Sequence, residues 1–125
     1  MAKILLTEDD VAVRTFVSRA LQLDGHDIVM AEDGEEALNV LKEDDGCFDL
    51  LLTDVKMPIM DGIALTHHAS KSWPKLPILI MTGYADQRER AKGLEQIIRD
   101  VVTKPFSLAD IRTAVNCALT DKIAA

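Results

Sequence analysis

The sequence has no hydrophobic run long enough to cross a bilayer, which would need about twenty consecutive apolar residues. The chain passes from Met1 almost directly into Ile4 and Leu5, and this segment is too short for the apolar part of a signal peptide. We therefore expect a cytoplasmic protein that makes no contact with a membrane.

Basic residues are outnumbered by acidic ones, 14 to 21, and cysteines are scarce. The formal net charge is −7, which argues against a nucleic-acid binder because such a protein needs a basic face to neutralise phosphates. Cys47 and Cys117 lie far apart and in no metal or redox motif, so we interpret them as reduced thiols without an assigned role. No linker, low-complexity tract or repeat interrupts the chain, and we expect one domain over residues 1–125.

Short apolar runs alternate with amphipathic segments along the whole chain. The apolar runs predict five strands, at 3–7, 26–31, 49–54, 78–81 and 101–103. The amphipathic segments predict five helices. The first runs from Asp10 to Gly25, the second ends near Asp45, and the others lie at 62–72, at 85–96 and after Ser107. Fivefold strand–helix alternation is typical of an α/β fold with a parallel sheet covered by helices on both faces.

Polar side chains follow four of these predicted strands. Glu8 and Asp9 come after the first strand, Asp54 ends the third, Thr82 follows the fourth and Lys104 follows the fifth. Because parallel strands bring their carboxyl ends to one edge of the sheet, we expect these groups to lie close together.

Three carboxylates at one edge repel one another unless a cation lies among them. Oxygen ligands of this kind suit Mg²⁺. We expect Lys104 to pair with Asp54 when nothing else is bound, and the Thr82 hydroxyl to serve an incoming oxyanion. A carboxylate beside a metal, an ammonium and a hydroxyl indicates a site that accepts a phosphoryl group.

These motifs together resemble the receiver domain of bacterial two-component response regulators, whose fold is CheY-like. The resemblance covers essentially the whole chain and rests on five motifs in order: Glu8-Asp9, the 31–38 segment, Asp54-Val55-Lys56-Met57-Pro58 with Asp61-Gly62, Thr82, and Lys104-Pro105-Phe106. It implies a flavodoxin-like sheet in the order 2-1-3-4-5. It also implies a cis Lys104–Pro105 peptide bond.

The resemblance further implies the role of each site residue. Asp54 would accept phosphate from a histidine kinase or a histidine phosphotransfer protein. Glu8, Asp9, Asp54 and the backbone carbonyl of Lys56 would hold Mg²⁺, and Thr82 and Lys104 would contact the phosphoryl oxygens. Such a domain is a signalling switch rather than an enzyme, with at most slow self-catalysed phosphorylation and dephosphorylation.

One part of the family pattern is missing. Family members often carry an aromatic switch residue three positions before the lysine, where this chain has Val101. Tyr84 could cover the site or act as the mobile aromatic instead. A small basic run, Arg88, Arg90 and Lys92, is either a solvated helix face or a docking surface.

We expect a single-domain regulator with no output domain, which acts as a monomer or as a phosphorylation-dependent dimer. Its signal would then pass by contact with another protein. The Ala124-Ala125 tail and parts of the first and third strands are similar to CpdR-like single-domain regulators. That similarity implies a ClpX-type AAA+ protease as the downstream partner and a role in ClpXP-type proteolysis.

Three other functions fit the sequence less well. A phosphorylation-independent adaptor would typically have lost Asp54 or Lys104, and this chain has both. A Mg²⁺-dependent phosphohydrolase of the haloacid-dehalogenase type needs a second aspartate two residues after the nucleophile, where this chain has Lys56. A flavodoxin-like cofactor binder needs a Ser-, Thr- or Gly-rich loop after the first strand, where this chain has Glu8-Asp9-Asp10. His67 and His68 are interpreted as helix-surface residues rather than phosphate carriers.

Overall fold

Five parallel strands form the centre of the protein in the computed structural model, which describes residues 2–83, 92–94 and 96–124. The strands lie in the order β2-β1-β3-β4-β5. Their bounds are β1 Lys3–Thr7, β2 Asp27–Ala31, β3 Leu50–Asp54, β4 Ile78–Thr82 and β5 Asp100–Thr103. The sheet and its order confirm the predicted fold class.

Helices cover both faces of this sheet. In the described part of the chain they are α1 Val11–Gln22, α2 Gly34–Glu43, α3 Gly62–Ser72 and a last helix, Leu108–Ala124. One buried cluster joins the sheet to α2 and α3, and includes Leu5, Leu41 and Leu65. A second cluster joins the opposite face to α1 and the last helix, and includes Leu6, Leu21 and Val115. Successive strand residues therefore face opposite cores, as a sheet buried on both sides requires.

Side-chain caps fix where the helices begin. Asp10 accepts hydrogen bonds from the backbone N–H groups of Ala12 and Val13, and Asp61 accepts one from Ala64. These contacts make Asp10 the N-cap of α1 and Asp61 the N-cap of α3. Each cap satisfies N–H groups that have no partner within the helix. The caps at Asp10 and Asp61 also anchor the two loops that follow β1 and β3.

The predicted helix at 85–96 lies mainly outside the described residues. Its described end, Lys92–Leu94, is a short 3-10 helix rather than an α-helix. The first helix ends at Gln22, three residues before the predicted stop at Gly25, where φ is +83°. None of the helices in the described part of the chain combines the length and apolar character that a membrane span requires.

Candidate functional site

The register of the sheet brings the predicted site residues to one edge. Thr7 lies beside Thr53 in β1 and β3, so the residues that follow them, Glu8 and Asp54, are neighbours across the sheet. Thr82 lies beside Thr103, the residue before Lys104. Residues distant in sequence are adjacent here because every strand of a parallel sheet ends at the same edge.

Asp54 is 6% exposed and has defined partners on both carboxylate oxygens. Its Oδ1 accepts a hydrogen bond of 2.9 Å from the backbone N–H of Val55. Its Oδ2 lies 3.1 Å from the Nζ of Lys104, which confirms the expected pairing of these two residues. The carboxylate is thus held at a fixed position with one oxygen beside a cation.

Lys104 also contacts Glu8, which lies 96 residues away in the sequence and is fully buried. Its Nζ donates a 2.8 Å hydrogen bond to Oε1 of Glu8. Burial disfavours the charged form of Lys104, but the hydrogen bond to Glu8 and the charges of Asp54 and Glu8 outweigh that effect and raise its pKa. The ammonium therefore stays charged between two carboxyl groups.

Burial raises the pKa of Glu8 to about 8, helped by a hydrogen bond shared with Asp54 and opposed by Lys104. One lysine cannot neutralise two neighbouring carboxylates, so a proton is held in the pair near neutral pH. The other oxygen of Glu8, Oε2, is buried and has no hydrogen-bond partner among the described residues. A bound cation would satisfy this oxygen.

An acidic cluster at this edge has the composition of a magnesium site. Glu8, Asp9 and Asp54 each offer one carboxylate oxygen, and these atoms all lie within 4.8 Å of one another. Asp9 is exposed, whereas the other two are buried, so the cluster opens to solvent on one side. Hard oxygen donors with an open side suit Mg²⁺, which keeps several of its waters. The orphaned Oε2 of Glu8 agrees with that fit.

The cluster lies in a cleft of about 930 Å³. Lys56, predicted to contribute its carbonyl, lines this cleft, as does Gly83. Thr82 is fully buried beneath the surface, and its hydroxyl has no hydrogen-bond partner in the part of the chain that the structure describes. A buried hydroxyl without a partner is unusual, and Thr82 therefore has an unused donor close to the cleft.

Two aromatic rings form an apolar wall that sequence reasoning missed. Phe16 has the helical spacing of the apolar face of α1, but it is 39% exposed and stacks on Phe106, with the ring centroids 6.4 Å apart. The peptide bond between Lys104 and Pro105 is cis, as the resemblance implied. Arg14 was also missed: its guanidinium donates to the backbone carbonyl of Glu8.

The predicted output residues are described only in part. Val101 lies in β5, is partly buried and packs against the core formed with α2 and α3. Tyr84, Arg88 and Arg90 lie outside the described residues, and so does the side chain of Lys92. His67 and His68 are exposed on α3, in agreement with their interpretation as helix-surface residues.

Known proteins share this sequence pattern and this fold. Residues 4–116 match the family model described as the response regulator receiver domain. The chain is 40% identical over 105 residues to the response regulator protein FleR of Pseudomonas aeruginosa, covering 84% of this chain and 22% of FleR. It is 33% identical over 117 residues to the response regulator MprA of Mycolicibacterium vanbaalenii, covering 94% of this chain and 50% of MprA.

A solved receiver-domain structure from Clostridium thermocellum superposes with a TM-score of 0.89 at 26% identity, covering 99% of this chain and 98% of that chain. The chain spans half or less of the length of FleR and MprA. What is shared with those regulators is therefore one domain, and that domain carries the acidic cluster and the lysine. The chain belongs to the family of response regulator receiver domains, which are phosphoacceptor modules of two-component signalling.

Proposed function

We propose that Asp54 accepts a phosphoryl group from a histidine kinase or a histidine phosphotransfer protein. The observation that carries this proposal is the position of Asp54, whose carboxylate ends a buried strand with Lys104 and two further carboxylates around it. An oxygen of Asp54 attacks phosphorus, the bond from phosphorus to the donor histidine nitrogen breaks, and an aspartyl phosphate forms. The electron pair of the broken bond leaves with the imidazole.

Lys104 and Thr82 would bind the transferred group. The ammonium of Lys104 lies within 3.1 Å of Asp54 and would screen negative charge on a phosphoryl oxygen. The hydroxyl of Thr82 has an unused donor that would orient another of those oxygens. Lys104 would need little rearrangement, because its ammonium already lies beside Asp54, whereas the buried hydroxyl of Thr82 would have to turn toward the phosphoryl group.

The acidic cluster would hold Mg²⁺ through the side chains of Glu8, Asp9 and Asp54 and the backbone carbonyl of Lys56. When bound, Mg²⁺ neutralises the charge that develops on the transferring oxygens. The carboxyl group of Glu8 would have to lose its proton to act as a ligand, and the open side at Asp9 would admit the ion.

Phosphate incorporation tests the assignment of Asp54. We expect the wild type, incubated with Mg²⁺ and the small phosphodonor acetyl phosphate, to gain one phosphoryl group detectable by intact-protein mass spectrometry. Asp54→Asn should gain none. Asp10→Asn is a matched control because asparagine still caps α1 at the edge of the same cleft, and it should label like the wild type. Equal labelling of the wild type and Asp54→Asn would overturn the proposal.

We propose further that the phosphorylated domain acts by contact with another protein. Phosphorylation adds charge at the sheet edge and would shift a conformational equilibrium in the region of Tyr84, Arg88, Arg90, Lys92 and Val101. The protein would work in the cytoplasm, as a monomer or as a phosphorylation-dependent dimer. Light scattering of the wild type and Asp54→Asn, with and without acetyl phosphate, distinguishes these two states.

A ClpX-type AAA+ protease is the partner we propose from the resemblance to CpdR-like regulators. We expect purified ClpX to retain wild type and Asp54→Asn to different extents after treatment with acetyl phosphate. Equal retention of the two proteins argues against this partner. Deleting Ala124-Ala125 should lengthen the half-life of the protein in the presence of ClpXP, and an unchanged half-life argues against a degradation signal. Function as a single domain stays a prediction, since the matched regulators are longer.

A further inference from the structure

Arg14 lies on α1 and points its guanidinium toward the loop that follows β1. Its Nη1 donates a 2.8 Å hydrogen bond to the backbone carbonyl of Glu8. Its Nη2 lies 3.7 Å from Oε1 of Glu32, the residue that follows β2. The side chain is only 13% exposed, although α1 is a surface helix. Arg14 therefore joins the loops after β1 and β2 from one side.

The residues on both sides of Asp9 are held by backbone contacts. The N–H of Glu8 donates to the carbonyl of Ala31 at 3.1 Å, while its own carbonyl accepts from Arg14. The carbonyl of Asp10 accepts from the N–H of Arg14 at 2.9 Å, and its side chain caps α1. Arg14 thus contacts the chain before Asp9 through its guanidinium and the chain after Asp9 through its backbone.

This arrangement opposes the repulsion within the acidic cluster. Glu8, Asp9 and Asp54 each offer a carboxylate oxygen, and these atoms lie within 4.8 Å of one another, so the three groups repel once all of them are ionised to bind a metal. Asp54 is fixed in β3, so any movement that separates the three carboxylates would come from the segment that carries Glu8 and Asp9. A guanidinium stays charged at any pH at which the protein folds, and its bond to a carbonyl is charge-assisted.

We propose that Arg14 is a positioning residue that holds the backbone of Glu8 and Asp9 in the geometry required to bind Mg²⁺. The inference rests on the magnesium site proposed above. This positioning role of Arg14 differs from a purely structural role in one measurable respect. A residue that only stabilises the fold changes the free energy of unfolding, whereas a residue that positions ligands changes the Mg²⁺ dissociation constant of the folded protein.

The experiment measures that constant by isothermal titration calorimetry and the rate of phosphorylation by acetyl phosphate as Mg²⁺ is varied. Arg14→Gln should weaken Mg²⁺ binding about tenfold, which is the usual effect of removing a group that orients metal ligands. The half-saturating Mg²⁺ concentration should rise by the same factor, and the rate at saturating Mg²⁺ should stay near that of the wild type.

Two control variants separate the hydrogen bond between Arg14 and the Glu8 carbonyl from other ion pairs of the protein. Arg112→Gln removes an arginine that binds Asp24 away from the cleft, so its Mg²⁺ dissociation constant should stay within about twofold of the wild type. Glu32→Gln removes only the longer contact of Arg14, to a side chain that is 69% exposed, and should also stay within about twofold. A tenfold loss in either control would contradict the assignment to Arg14 and the Glu8 carbonyl.

A folded Arg14→Gln protein with unchanged Mg²⁺ affinity would overturn the inference. If that variant does not fold, Arg14→Lys keeps the charge and the aliphatic stem but lacks the guanidinium reach, and it should still bind Mg²⁺ several-fold more weakly. Wild-type affinity in Arg14→Lys would equally overturn the inference. Asp9→Asn tests the underlying site separately: if it binds Mg²⁺ as tightly as the wild type, the proposed magnesium site is wrong, whatever Arg14→Gln shows.

Discussion

Gly62 approaches the backbone of Asp54 so closely that a Cβ atom at position 62 would lie 1.8 Å from the Asp54 carbonyl oxygen. The N–H of Gly62 donates to the carbonyl of Val55 at 2.7 Å, and the Thr66 hydroxyl donates to the carbonyl of Gly62 at 2.7 Å. The start of α3 is thereby packed directly against the end of β3. Glycine is required here by a close approach of two backbones rather than by an unusual φ.

Gly62→Ala should destabilise the protein by about 3 kcal/mol, because backbone atoms must move apart to admit the methyl group. It should also reduce phosphorylation of the folded fraction, since the displaced atoms belong to Asp54. Urea unfolding and phosphate incorporation measure the two effects. Gly93→Ala is the control, because a Cβ there meets no atom of the described residues within 4 Å. A Gly62→Ala protein as stable as Gly93→Ala would contradict the close approach.

The metal-free protein should lose stability as the pH rises from about 4.5 to about 8 because of Glu8. The pKa of this carboxyl group is raised from 4.5 to about 8 in the folded state, so the native protein holds a proton that the unfolded chain has released. The stability from this proton is complete below the unfolded pKa and is lost as the pH rises through the folded one. Its magnitude is on the order of a few kcal/mol.

Glu8→Gln isolates this effect, because glutamine is neutral at every pH. Urea unfolding in the presence of a metal chelator, at intervals from pH 5 to pH 9, should show a stability difference between variant and wild type that grows with pH in favour of the variant. Glu43→Gln, on the exposed side of α2, should show no such trend. A difference for Glu8→Gln that stays constant across the range would refute the raised pKa.

Ile59→Gly should stabilise the protein by about 1 kcal/mol. The N–H of Met60 donates to the carbonyl of Pro58, which closes a three-residue turn centred on Ile59, where φ is +69°. This conformation is costly for a β-branched residue and not for glycine, and the relief exceeds the extra chain entropy of glycine. Ile59 is 77% exposed, so little burial is lost. Ile59→Val keeps the β-branched side chain and should leave the free energy of unfolding unchanged. A gain in stability equal to that of Ile59→Gly would contradict backbone strain at this position.

Asp24→Asn should lower the melting temperature at pH 7 and have a smaller effect in acid. The Arg112 side chain donates a hydrogen bond to Asp24 and lowers the pKa of that carboxyl group below its ordinary value of 3.8. This contribution is present above the unfolded pKa and is lost as the pH falls through the lower, folded one. Calorimetry should show a smaller difference in melting temperature between the wild type and Asp24→Asn at pH 3 than at pH 7. Asp27→Asn, at the exposed first residue of β2, should change the melting temperature little at either pH.

The strands and the acidic cluster were predictable because both depend on local patterns. Continuous apolar runs such as 50–52 indicate strands buried on both faces, and all five predicted strands are present. Once the strands are parallel, the position of a polar residue just after each run determines which edge it occupies. That reasoning placed Asp54, Glu8 and Lys104 together without any knowledge of side-chain conformations.

Contacts made by side chains across elements were not predictable in the same way. Nothing local distinguishes Arg14, which bonds a backbone carbonyl, from Arg19 on the exposed surface of α1. Phe16 has the spacing of a core residue, but its direction depends on the position of Phe106 near the opposite end of the sequence. The contact of the Lys104 ammonium with both Glu8 and Asp54 likewise follows from tertiary packing.

The separation of Glu8 and Lys104 by 96 positions in the sequence has a consequence for synthesis of the protein. A ribosome delivers Glu8 and Asp9 first and Asp54 midway, whereas the lysine that lies between their carboxyl groups arrives only with the end of β5. A chain that has folded its first three strands would expose an acidic edge without its counter-charge. If Lys104 assists phosphorylation of Asp54, as proposed above, full competence to accept phosphate would appear only after β5 has been synthesised.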